Sequence, residues 1–123
     1  MTKTEIKKGN ELIANFMGLP LQKTEYQYNE SFKVDIHYNY NGSWDELMKV
    51  IDKIEQSNFA DYNFNYNITG DGVGISKFDD GSGLIAERVN KWGESKLKAS
   101  WECVIEFINW YNQERSEKNT NLI

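Results

Sequence analysis

The sequence is poor in the residues that usually announce a chemistry. Its 123 residues include one Cys, one Pro, one His and two Arg. A single cysteine makes no internal disulfide, so the fold does not rest on oxidation. A single histidine, His37, excludes the paired-histidine metal sites and the HExxH motif. His37 falls on a strand pattern and reads as solvent-facing. Histidine as a residue type suits a general base, yet no acid or nucleophile can be named beside this one. No apolar run approaches the ~20 residues of a membrane span. Glu11 and Asn15 interrupt any leader-like stretch at the start, so the chain reads as cytoplasmic. Basic residues are also scarce: 14 against 19 acidic ones, for a net charge of −5. That balance argues against long nucleic acid as a partner, since such partners are held by clustered Lys and Arg. No repeat and no Pro- or Ser-rich linker divides the chain. Residues 1–115 are therefore expected to form one domain, with 116–123 a frayed polar tail.

What the chain has is aromatic residues and clear periodicity. Four Trp, seven Tyr and six Phe sit in a composition that is 39% hydrophobic. A first helix reads from about Thr4 to Met17, stopped by Gly18 and Pro20. Phe32, Val34, Ile36, Tyr38 and Tyr40 then alternate with polar residues, which predicts a strand. Tyr26 and Tyr28 precede it across Asn29-Glu30-Ser31, a weak hairpin signal. Ser43 with Glu46 makes a capping box, and Trp44, Leu47, Met48, Ile51 and Ile54 form an apolar stripe. Both predict a helix over 43–57. Tyr62, Phe64, Tyr66 and Ile68 alternate with asparagines. Two turn-rich segments then separate Val73–Phe78 and Leu84–Lys91, giving a three-strand antiparallel meander. A third helix reads from Ser95 to about Glu114. Helices and strands segregate, so the expected class is α+β: an antiparallel meander, with an N-terminal strand or hairpin, packed with three helices.

The last helix carries two apolar stripes. Leu97, Trp101, Val104, Ile108 and Tyr111 form one, expected to face the sheet. Ala99, Cys103, Phe107 and Trp110 form another, rotated from the first. Covering one sheet needs one stripe. The second either packs on another helix of the same chain or marks a subunit contact. A homo-oligomer, most simply a two-fold dimer, is expected with Cys103, Phe107 and Trp110 at the interface.

No catalytic constellation appears, and the expectation is a non-enzyme with no metal or cofactor. Gly70-Asp71-Gly72-Val73-Gly74 lies between strands and has no helix start behind it to hold a phosphate. Asp79-Asp80-Gly81-Ser82-Gly83 lacks the ligand spacing of an EF-hand loop. Cys103 has Glu102 and Glu106 as neighbours, which disfavour the thiolate. Those two glutamates read as ordinary exposed helix carboxylates. Binding is a better prospect. Tyr38, Tyr40, Trp44 and Trp92 lie in or beside loops, where rings stack on flat ligands. Lys77, Arg88 and Lys91 fall on the last two strands and their exit, in reach of charge-assisted bonds to phosphate. The candidate ligand residues are Arg88, Trp92, Trp44, Tyr38, Lys91 and Lys77, with phosphate nearer Arg88 and a base nearer the Trp rings.

Three segments also carry a resemblance: Leu12-Ile13-Ala14-Asn15-Phe16-Met17-Gly18, Tyr40-Asn41-Gly42-Ser43-Trp44-Asp45-Glu46-Leu47-Met48 through Lys53-Ile54-Glu55, and Val104-Ile105-Glu106-Phe107-Ile108-Asn109-Trp110-Tyr111-Asn112. Together they resemble a family of short proteins from Bacteroidetes and their phages and prophages. Its members often carry a second Trp where Glu46 stands and a Pro where Lys49 stands. The layout is also similar to small phage α–β–α sandwich domains. The resemblance implies a virus-encoded accessory protein in the host cytoplasm, of the kind that counters host defence. Two functions follow as expectations. One is sequestration of a small nucleotide-like defence signal. The other is a protein-interaction module that inhibits or adapts a host or phage protein through its acidic surface.

Overall fold

A computed structural model of the chain describes residues 2–56, 58–59, 62–68, 72–78, 82–89 and 95–121, with side chains described for 2–56, 64–68, 72–76 and 95–116. The element order is α1 (Lys3–Phe16), β1 (Gln22–Gln27), β2 (Glu30–Asp35), α2 (Trp44–Gln56), β3 (Asn58–Phe59), β4 (Tyr62–Ile68), β5 (Gly72–Phe78), β6 (Ser82–Val89) and α3 (Lys96–Asn121). The fold is α+β, as the segregated pattern predicts.

Each helix begins on a hydroxyl. Thr2 Oγ1 accepts the Glu5 N–H at 3.1 Å, Ser43 Oγ accepts that of Glu46 at 3.3 Å, and Ser95 Oγ accepts that of Lys98 at 3.0 Å. These bonds satisfy first-turn donors that a helix otherwise leaves open. The Glu46 carboxylate pairs with Lys49 at 3.0 Å, so the box at α2 works through its serine. Ser43→Ala is expected to cost about 1 kcal/mol in chemical denaturation; a loss under ~0.2 kcal/mol would contradict the cap. At the other end of α1, Gly18 takes φ +75°. Its N–H reaches Asn15 O, and the Leu19 N–H reaches Ala14 O at 2.9 Å. That is a Schellman ending, which a side chain at Gly18 would strain. Lys53 of α2 donates to Phe16 O at 2.6 Å and lies over the Phe16 ring, tying α2 to the same helix end.

The strand predicted to run through Tyr40 stops at Asp35. Tyr28 and Asn29 both have positive φ, 52° and 65°, which is the requirement of a type I′ hairpin turn. β1 and β2 therefore form a two-stranded sheet of their own, in register from Gln27↔Glu30 to Gln22↔Asp35. One more rung, Ile36 N–H to Leu21 O at 2.9 Å, closes its base. Beyond it the chain leaves strand geometry and runs beside α1. The alternation survives because Ile36, Tyr38 and Tyr40 still turn toward protein on one side only. The Tyr38 and Tyr40 rings stack 5.7 Å apart.

The other sheet is antiparallel with order β3-β4-β5-β6. It is the expected meander with one short strand added at the β4 edge. Phe64, Tyr66, Val73 and Ile75 share a face by register, and Phe64, Val73 and Ile75 are buried there. Asn65, Asn67, Gly74 and Ser76 occupy the other face. The polar alternation of β4 separates the two sides. α3 lies across β5 and β6, α2 against β4, and α1 on α3.

α3 corrects three expectations. Helical geometry continues to Asn121, past the Glu114 where the apolar pattern ends. The stripes also exchange roles. The Cys103 Sγ is 3.9 Å from the Val73 carbonyl oxygen, and the Phe107 ring meets Phe64 edge-on at 4.9 Å. The second stripe therefore faces the sheet. Trp101, from the first stripe, turns to α1, where a Cβ on Gly9 would overlap its ring. Finally, Cys103 and Phe107 have no exposed surface, and the half-buried Trp110 packs on Phe64 and Phe107. The apolar seam assigned to a subunit contact is consumed inside the chain.

Candidate functional site

A buried asparagine on α1 ties three separate segments of the chain together. Asn10 stands on α1 in line with Ile6 and Ile13, where the stripe calls for an apolar residue. It is 6% exposed. Its Nδ2 donates to Tyr38 O at 2.9 Å and to Asn41 Oδ1 at 2.8 Å. Its Oδ1 accepts the Trp101 Nε1–H at 2.9 Å. Both amide hydrogens are used and the carbonyl oxygen is engaged, so the group is buried at little cost. The network fixes α1, the 36–41 segment and α3 against one another. Tyr38 OH adds a bond to Pro20 O at 2.7 Å.

Above this network lies an open cleft of about 390 Å³, between α1 and the segment leaving β2. Ile6, Ile36 and Tyr38 supply apolar wall, and Asn10 and Asn41 supply polar floor. Asn41 spends its Oδ1 on Asn10, which leaves its amide hydrogens facing no described partner. Lys3 and Lys7 bring positive charge to the rim, His37 brings an imidazole and Glu11 a carboxylate. Lys7 is partly spoken for, 3.2 Å from Asp35 and 3.9 Å from Glu11. Lys3 has no ion pair with any described residue. The Gln22 Nε2 hydrogen bond, then Lys7, hold the Asp35 carboxyl below its ordinary pKa. Whatever Asp35 contributes is therefore present at neutral pH and lost on acidification through that lowered pKa. In the core, burial pushes the Tyr40 hydroxyl up. It does the same to Tyr66, against the opposing hydrogen bond with Ser100.

A smaller concavity of about 280 Å³ is lined by Asn15, Phe16, Lys53, Tyr111, Asn112 and Arg115. Its cations are engaged within the chain: Lys53 on Phe16, and Arg115 over the Tyr111 ring.

Of the six ligand residues expected from the sequence, Tyr38 lines the larger cleft. Trp44 opens α2, 39% exposed and outside that lining. Lys77 stands on β5 opposite Phe64 and Gly83, and Arg88 on β6 opposite Val73. At ~3.3 Å per residue, those two positions are about 13 Å apart along the sheet. The side chains of Lys77 and Arg88, and Lys91 and Trp92 altogether, lie outside the described residues. The cleft instead uses Lys3, Lys7, Asn10, Asn41 and His37. His37 was expected on a strand and sits at the cleft rim. The available signal was Asn10, a polar residue inside an apolar stripe. Trp101 was its counterpart, an indole N–H that needs an acceptor once buried.

Among the described residues, no group of three or more His, Cys, Asp and Glu is placed to hold a metal ion. None of the helices is long and apolar enough to cross a membrane. No protein-family profile, no curated protein and no solved structure matches the chain.

Proposed function

We propose that this chain is a non-enzymatic, phage-type accessory protein that sequesters a small nucleotide-like signal in the cleft between α1 and residues 36–41. The observation that carries the reading is the composition of that cleft: an aromatic and aliphatic wall, amide hydrogens on Asn41 that no described residue takes, and Lys3 and His37 at the rim. A nucleotide needs a surface for a flat base and a cation for its phosphate. The volume, about 390 Å³, falls within the ~300–1,000 Å³ of small-molecule sites. The viral context rests on the three-segment resemblance.

The test is a thermal-shift screen and calorimetry against mono-, di- and cyclic nucleotides, since a ligand that binds only the folded state raises the melting temperature. A Lys3→Ala, His37→Ala double variant should keep its fold, because both side chains are solvent-exposed. It should lose about 1.5–3 kcal/mol of affinity, the range for hydrogen bonds to charged groups. No binding by any nucleotide would favour the protein-interaction reading. The observation on that side is Trp44 and Met48, one turn apart on α2 and about 40% exposed each.

A further inference from the structure

The β1–β2 hairpin is an isolated ribbon, and one of its edges is open. All six residues of β1 are exposed. β2 lies nearer α1, whose Lys7 reaches Asp35, and Val34 is half-buried. Ribbons of two strands are marginal by themselves, and unpaired edges are templates for pairing. Which backbone groups of β1 face outward follows from the ladder. The Ile36 N–H bonds Leu21 O, so that rung is a hydrogen-bonded pair. Hydrogen-bonded and non-bonded pairs alternate in antiparallel sheets. Lys23, Glu25 and Gln27 therefore bond to β2, while Gln22, Thr24 and Tyr26 turn their N–H and C=O groups away from it. No described residue takes those groups.

We propose that this edge pairs with the same edge of a second copy, antiparallel about a two-fold axis through Thr24. Three requirements select that register. A two-fold pair must match outward residues with outward residues, and the Thr24↔Thr24 register does so, with Gln22 opposite the second copy's Tyr26 at both ends. It also uses the whole strand. Above all, it sets Lys23 opposite Glu25 of the other copy, twice, at non-hydrogen-bonded positions where side chains approach most closely. Sliding by one allowed step brings Glu25 against Glu25, or Lys23 against Lys23. The sequence QKTEYQ is thus self-complementary in one register and self-repelling in its neighbours. The product is a four-stranded sheet, β2-β1-β1-β2, across the two chains. It partly covers Tyr26, which is 78% exposed in one chain. This assembly is independent of the nucleotide reading and uses none of the α3 residues first expected at a contact.

Light scattering on the full chain at ~100 μM should show a dimer, given that two-fold pairs are the commonest assembly. Lys23→Glu alone should weaken dimerisation at least ~10-fold, as should Glu25→Lys alone, while the double exchange should restore it. Thr24→Pro keeps the hairpin, because the lost N–H faces outward, and should yield a folded monomer. A monomeric wild type would overturn the proposal. So would a folded Thr24→Pro variant that still dimerises, or single charge reversals without effect on the dimer.

Discussion

Replacing Phe107 by Ala is expected to destabilise the protein by about 3–5 kcal/mol, the range for deleting a buried aromatic ring. The ring has no exposed surface. It meets Phe64 at 4.9 Å and Phe16 at 6.4 Å edge-on, stacks on Tyr111 at 6.1 Å, and lies tilted 5.8 Å from Trp110. Those partners come from β4, α1 and α3, so one truncation opens a cavity where a sheet and two helices meet. Aromatic pairs add ~0.5–1.5 kcal/mol each beyond the area they bury, which places this site toward the upper end of the range. Phe107→Leu keeps most of the volume and should cost under ~1.5 kcal/mol. Urea denaturation of both variants checks the pair. Equal losses would contradict the cavity account, since refilling the volume with Leu would then recover nothing.

Asn10→Ala is expected to cost about 2–4 kcal/mol, by a different mechanism. The substitution suits a helix, since Ala has the better propensity by roughly 0.5 kcal/mol. It nonetheless strands the Trp101 indole N–H, at a residue 3% exposed, without its acceptor, and deprives Tyr38 O and Asn41 Oδ1 of their donor. A buried donor left unmade costs ~1–3 kcal/mol, and the half-buried acceptors add less. Asn10→Ala with Trp101→Phe removes the orphaned N–H as well. The two changes should therefore couple favourably in a double-mutant cycle. Strict additivity would mean that the hydrogen bond carries no energy.

These two sites show how far the residues alone announce the molecule. Local rules place the helix starts well, because Thr2, Ser43 and Ser95 act within one turn of themselves. The α1 stop is legible in Gly18 for the same reason. The strand pattern of β4 is equally plain, since the asparagines mark one face. The partner of a stripe is another matter. A helical wheel finds both seams of α3 but not which one meets the sheet. That choice depends on Gly9 admitting Trp101, a contact across 92 residues of chain. The end of β2 is missed because alternating burial continues after the ladder stops: Ile36–Tyr40 keep period two while lying along a helix. The cleft is missed for a related reason. Its walls are brought together by Asn10 reaching Tyr38 and Asn41, 28 and 31 residues away, and turn glycines and loop aromatics do not signal that contact.

The claim that the α1 cleft is the binding site is tested most directly by nuclear magnetic resonance. Protein labelled with ¹⁵N would be titrated with a mononucleotide and with a cyclic dinucleotide. The Trp101 indole N–H is the reporter, since it bonds Asn10 beneath the cleft floor at 2.9 Å. Saturable shifts of that signal, together with the Asn41 side-chain amide and the His37 and Tyr38 backbone amides, are expected. Shifts confined to β6 and the Trp44 indole, with Trp101 and Asn41 unmoved, would contradict the assignment, as would no saturable shift with either ligand.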